Sequence, residues 1–92
     1  MNTKTQTDRE RIELAVELAR VVGFEIRRSG YQLNDEQVGA GADIMQYAFQ
    51  VATWPNKGTA DQIATLVESH FPGGCPIHKH IREAVAEFLT AI

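Results

Sequence analysis

The stretch from Leu33 to Trp54, LNDEQVGAGADIMQYAFQVATW, constrains this chain more than any other, because as a helix it has too little polar surface to lie on the outside of a fold. Steps of about 100° per residue put Val38, Gly41, Ala42, Met45, Ala48, Phe49 and Ala52 on one face. Ile44, Tyr47 and Val51 form a second apolar stripe beside it. Only Gly39, Asp43, Gln46, Gln50 and Thr53 remain as a narrow polar strip, so the helix needs two neighbours to cover it.

The ends of this helix are legible. Asn34 is a good N-cap, Gln37 completes a capping box, and Leu33 with Val38 has the spacing of a hydrophobic staple. Asp35 and Glu36 suit the positive end of the helix dipole. At the far end Pro55 disfavours helix at Trp54, and Asn56, Lys57 and Gly58 are turn formers. Gly39 and Gly41 each cost about 1 kcal/mol relative to alanine inside a helix, which the close approach of another helix would explain.

Upstream, Met1 to Gln6 is polar and is expected to form a disordered tail. Residues 7–92 then read as one domain. Thr7 with Glu10 makes a capping box for a helix running to about Arg28, with Ile12, Ala15, Val16, Ala19, Val22, Gly23 and Ile26 as its main face. Leu14, Leu18 and Val21 repeat the second stripe, while Arg9 with Glu13 and Glu17 with Arg20 are spaced for pairing on a solvated side. Ser29 and Gly30 end the helix, and Tyr31 with Gln32 leads into the central one.

Downstream, Thr59 with Gln62 offers a third capping box, and Ala60, Ile63, Ala64, Val67 and Phe71 follow at helical spacing up to Pro72, Gly73 and Gly74. Pro76 suits the first position of a fourth helix whose apolar face is Ile77, Ile81, Ala84, Val85, Phe88 and Ile92; Lys79, Arg82, Glu83 and Glu87 point away. Four helices with short turns and no period-two alternation predict an all-α fold, a compact four-helix domain with a central, largely buried second helix.

Ninety-two residues are one domain's worth, and 43% hydrophobic with 23% charged is ordinary for a soluble chain. No apolar run approaches the roughly 18 residues a membrane span requires, and the N-terminus lacks the apolar core of a secretion signal, which predicts a cytoplasmic protein with no membrane partner. The single cysteine cannot staple the chain internally. A net charge of −3 argues against general affinity for nucleic-acid backbone.

The densest chemistry lies in HFPGGCPIHKH, His70 to His80, with one thiol and three imidazoles. His78 and His80 sit about 200° apart on a helix starting at Pro76, so they cannot share one metal. Cys75 would stand near a helix N-terminus, but a phosphatase-like loop needs an arginine where this chain has Ile81. His78 is read at the edge of the core rather than as a base for Cys75. The sequence therefore predicts no enzyme, no cofactor and no metal site.

The surplus apolar stripes carry the functional expectation. Leu14, Leu18, Val21, Ile44, Tyr47 and Val51, with Trp54 as an anchor, would form either internal packing or a protein interface, serving a homodimer or a larger partner. For Trp54 a core-capping role is favoured over that of an anchor. On this reading the protein is a small non-enzymatic helical interaction module, an adaptor or inhibitor, with Asp35, Glu36 and Asp43 available to a basic partner surface. The alternative is a regulator touching nucleic acid through His78, Lys79, His80 and Arg82 at the start of the fourth helix.

Overall fold

A computed structural model of the chain describes residues 8–29, 33–74 and 78–92. Four α-helices make it up: α1 (Asp8–Ser29), α2 (Asp35–Thr53), α3 (Lys57–His70) and α4 (Lys79–Ala91). The expected tail and the roles given to Thr7, Gly30, Tyr31, Gln32, Cys75, Pro76 and Ile77 lie outside the described residues.

The start of α2 forms as its residues dictate. The Asn34 side chain accepts from the Gln37 amide at 2.8 Å, and the Gln37 side chain accepts in return from the Asn34 amide at 3.0 Å. Helix α3 differs from expectation. Its N-cap is Asn56, whose side chain accepts from Thr59 N at 3.1 Å, so the helix begins before the Thr59–Gln62 box and gains most of a turn.

Side chains that reach from one helix to the end of another show how the helices run. Arg11, near the start of α1, donates from Nε to Ala52 O at the end of α2 (2.9 Å). Gln37 at the start of α2 donates from Nε2 to His70 O at the end of α3 (2.9 Å), and Arg82 near the start of α4 donates from Nη1 to Phe71 O just past that same end (2.9 Å). Successive helices are therefore antiparallel, with α1 packing on α2 and α4, and α3 completing the ring between them.

Ala15, Leu18 and Val22 of α1, Ile44, Ala48 and Val51 of α2, Ile63 and Val67 of α3, Phe71, and Ile81, Val85 and Phe88 of α4 fill the middle. Here lies the main departure from the sequence reading. On both long helices the second stripe points into the core, while much of the main face does not. Leu18, Ile44 and Val51 are fully enclosed, and Leu14, Val21 and Tyr47 are half-buried, with Leu14 and Tyr47 packed against that core. Each helix must serve two neighbours in the ring, so its inward direction bisects them: on α1 it falls between α2 on the Val22–Ile26 side and α4 on the Leu14–Val21 side.

Gly41 has the role expected of it. A Cβ built there would stand 2.5 Å from Ile26 Cδ1 and 3.4 Å from Val22 Cγ1, so the missing side chain lets α1 approach. Gly39 does not share that role, since a Cβ there would meet nothing within 4 Å.

Candidate protein interface

Turning the second stripes inward leaves other apolar residues outside. Ile12 (38% exposed), Val16 (42%), Val38 (41%) and Phe49 (39%) stay accessible on α1 and α2, as does Ala42. The large exposed apolar side chains among the described residues are these four with Phe24 and Trp54, so all belong to α1, α2 or the residue capping α2.

The wheel and the ring together place four of the six on one surface. On α1, Ala19, Ile12, Gly23 and Val16 follow one another around the helix, beyond the Val22–Ile26 edge that meets α2. On α2, Met45, Val38, Phe49 and Ala42 follow beyond the Gly41–Ala52 edge that meets α1. The two arcs are adjacent and both face away from α3 and α4. They make one apolar surface across the outside of the α1–α2 pair, the kind that marks an interaction site when it is contiguous and rimmed by polar groups.

Beyond Val16, the α1 edge carries Arg9, Arg27 and Arg20, followed by Glu13. Beyond Ala42, the α2 edge carries Asp35, Thr53, Gln46, Gly39 and Gln50, whereas Asp43 and Glu36 lie about 100° and 120° round the helix from Ala42, next to Tyr47 and away from the apolar surface; α2 contains no lysine or arginine. Arg9 pairs with Glu13 at 3.8 Å and Arg20 with Glu17 at 3.5 Å, long contacts between side chains that are mostly in water.

Trp54 is 77% exposed, which corrects the view of it as a core-capping residue. It lines a shallow depression with Phe49, Gln50, Thr53, Asn56 and Thr59 at the end of the apolar surface. Its amide donates to Gln50 O at 2.8 Å, which closes the helix and leaves the indole outside. Leu18, Ile44 and Val51 cannot contribute to an interface as proposed from the sequence, because the core encloses them. Leu14, Leu18 and Val21 instead line a groove between α1 and α4 with Ala84, Phe88 and Ala91.

The cluster at the start of α4 is dispersed by its own packing. His78 is buried, with its ring edge-on to Phe71 at 5.5 Å between centroids. Its Nε2 lies 3.3 Å from Gln37 Nε2 and its Nδ1 3.4 Å from Pro72 O. An amide nitrogen can only donate, so His78 Nε2 accepts and the ring proton sits on Nδ1, facing the carbonyl. Arg82 is held between Phe71 O and the Glu68 carboxylate, 2.9 and 3.3 Å away. Of the four residues once grouped for nucleic acid only Lys79 and His80 stand free of the fold in water, and His80 lies 4.0 Å from Glu83. Among the described residues no three of His, Cys, Asp or Glu converge as metal ligands would, and no helix is long and apolar enough to cross a membrane.

The sequence reading assigns Ile12, Val16, Val38 and Phe49 to the core, whereas the structure leaves them exposed. Among the described residues nothing lies within 4 Å of a Cβ built at Gly23 or Gly39. No protein-family model matches the chain, and no curated protein or solved structure matches it either.

Proposed function

We propose that this protein is a non-enzymatic helical interaction module that works through the outer surface of α1 and α2. One observation carries the reading: Ile12, Val16, Val38 and Phe49, each 38–42% exposed, lie on adjoining arcs of α1 and α2 that face away from α3 and α4. The part of each side chain left in water forgoes burial worth about 25 cal/mol per Å². A partner that covers the surface recovers it.

The module acts by occupation, as an adaptor or an inhibitor does. Its Arg20 and Arg27 edge would meet acidic groups of the partner, which sets orientation and suppresses wrong partners. Trp54, large and rigid at one end of the surface, is the natural anchor. A single cysteine with no second thiol to bridge fits a reducing cytoplasm as the place of work.

The test is capture from the native host with the full chain as bait. Wild type and Glu87→Ala, altered on α4 away from the surface, are expected to retain the same partner, while Val16→Glu and Phe49→Glu lose it. Equal capture by all four proteins would remove this surface from consideration.

A further inference from the structure

We propose that the groove between α1 and α4 is a separate docking site, one that takes a basic amphipathic helix of another protein. It lies on the far side of α1 from the α1–α2 surface and does not depend on that surface being an interface. The groove comes from side-chain size. Leu14 and Val21 stand seven residues apart on α1, and Ala84 and Ala91 seven apart on α4, so on these antiparallel helices the two pairs span the same two turns, about 10 Å. The two alanine methyl groups leave open, beside Phe88, space that longer side chains would fill. The resulting groove holds about 210 Å³, below the roughly 300–1,000 Å³ of a small-molecule site. At the Val21 end it opens into a shallower depression where Phe24 stands 60% exposed. A row of side chains from another helix fits that shape.

Charge names the occupant. Glu17 stands on the α1 lip and Glu87 on the α4 lip, each about midway along its side, and among the described residues no lysine or arginine lines this stretch. Glu10 lies on the same line of α1 two turns before Glu17. Glu17 meets Arg20 only at 3.5 Å between side chains that are mostly in water, and among the described residues Glu87 has no ion pair. The basic groups Arg20, Arg27 and His80 gather beyond Val21, around the Phe24 depression. Carboxylates on both lips of an apolar groove repel phosphate, which disfavours nucleic acid and anionic lipid, and attract lysines or arginines that flank an apolar stripe. That stripe belongs to a helix, because a helix satisfies its own backbone, whereas α1 and α4 have no spare backbone groups along the groove to pair with an extended chain.

The experiment is fluorescence anisotropy of a labelled synthetic peptide of about 18 residues, with leucines at helical spacing and lysines elsewhere, titrated with the full chain. A peptide with glutamate in place of every lysine is the comparison. Wild type is expected to bind the lysine peptide at least about tenfold more tightly, with amide shifts moving at Leu14, Glu17, Val21, Ala84 and Glu87. Glu17→Lys with Glu87→Lys, both at exposed positions, should reverse the order of the two peptides. Ala91→Phe fills the groove without altering the charge of its lips and should weaken the lysine peptide about tenfold. Val16→Ser and Phe49→Ser, on the other surface, should leave its binding unchanged.

Equal affinity for the two peptides, or no binding of either, overturns the proposal. So does a lysine peptide that binds Ala91→Phe as well as wild type, since charge alone would then hold it. Loss of the peptide with Val16→Ser or Phe49→Ser would seat it on the α1–α2 surface and sink the groove, while leaving the reading of that surface intact.

Discussion

Arg11 and Ala52, 41 positions apart in the chain, are joined by a hydrogen bond from Nε to the backbone carbonyl at 2.9 Å. The link does more than tie two helices together. Helix α2 has no basic residue in its last turn, so the guanidinium of Arg11, largely buried and also bonded to Asp8, supplies the positive charge at the negative end of the α2 dipole. Arg82 does the same for α3, donating to Phe71 O while it pairs with Glu68. In both cases a side chain of a neighbouring helix serves a carbonyl at the helix C-terminus.

Arg11→Ala should therefore destabilise the protein by about 1.5 to 3 kcal/mol, the range for a hydrogen bond to a charged group. Arg11→Lys should recover only part of the loss, since an ammonium keeps the charge without the planar fork. Urea unfolding followed by circular dichroism checks both. A change within about 0.5 kcal/mol for Arg11→Ala would show that water serves α2 as well.

Gln37 is the hub at the opposite end of α2. Its side-chain oxygen accepts from Asn34 N, and its nitrogen donates to His70 O and approaches His78 Nε2. Gln37→Ala removes all three contacts and should cost about 1 to 3 kcal/mol. Gln37→Glu keeps the capping box but sets a carboxylate against the His70 carbonyl. If the link to α3 matters, Gln37→Glu will be less stable than wild type despite its intact cap; equal denaturation midpoints would confine the role of Gln37 to capping.

The three glycines of the long helices should respond differently to alanine. Gly23→Ala and Gly39→Ala should each stabilise by about 0.5 to 1 kcal/mol, because helix propensity improves and no neighbour among the described residues is displaced. Gly41→Ala should gain less or nothing, since Ile26 Cδ1 must move out of the space. Thermal melting of the three variants reads the order, and a gain for Gly41→Ala equal to the others would mean that α1 and α2 are not held at this separation.

Core and surface positions on α2 should separate just as clearly. Ile44 is enclosed by the ring of helices, and Ile44→Ala should cost about 2 to 5 kcal/mol. Phe49→Ser, measured at concentrations where the chain is monomeric, should cost less than about 1 kcal/mol. Comparable losses at the two positions would mean that Phe49 is packed within its own chain.

Much of this fold can be read from the residues. The Asn34–Gln37 box, the turn at Pro55 and the break at Pro72 each follow from local chemistry that packing has no reason to override. The rotation of the helices about their own axes was not legible in the same way. Apolar residues on α1 and α2 span so wide an arc that periodicity gives no single inward direction. The larger set, Ile12 with Val16 and Val38 with Phe49, drew the sequence reading, whereas the position of α4 against Leu14 and Val21 decided the outcome. The sequence points to Thr59 as the cap of α3 and to Asn56 as a turn former, but Asn56 caps the helix and so lengthens it. His78 shows the converse case: a polar residue near a loop is buried because Gln37, 41 positions away, gives it a partner.

The central claim is that the outside of the α1–α2 pair is a surface made to be covered. Amide chemical shifts, assigned for the full chain and compared with and without a partner captured from the host, test it most directly. The account predicts that shifts move at Ile12, Val16, Ala19, Gly23, Val38, Ala42 and Phe49, while the amides of α3 stay in place. Movement concentrated on α3 or in the groove between α1 and α4, or no movement at all, would contradict it.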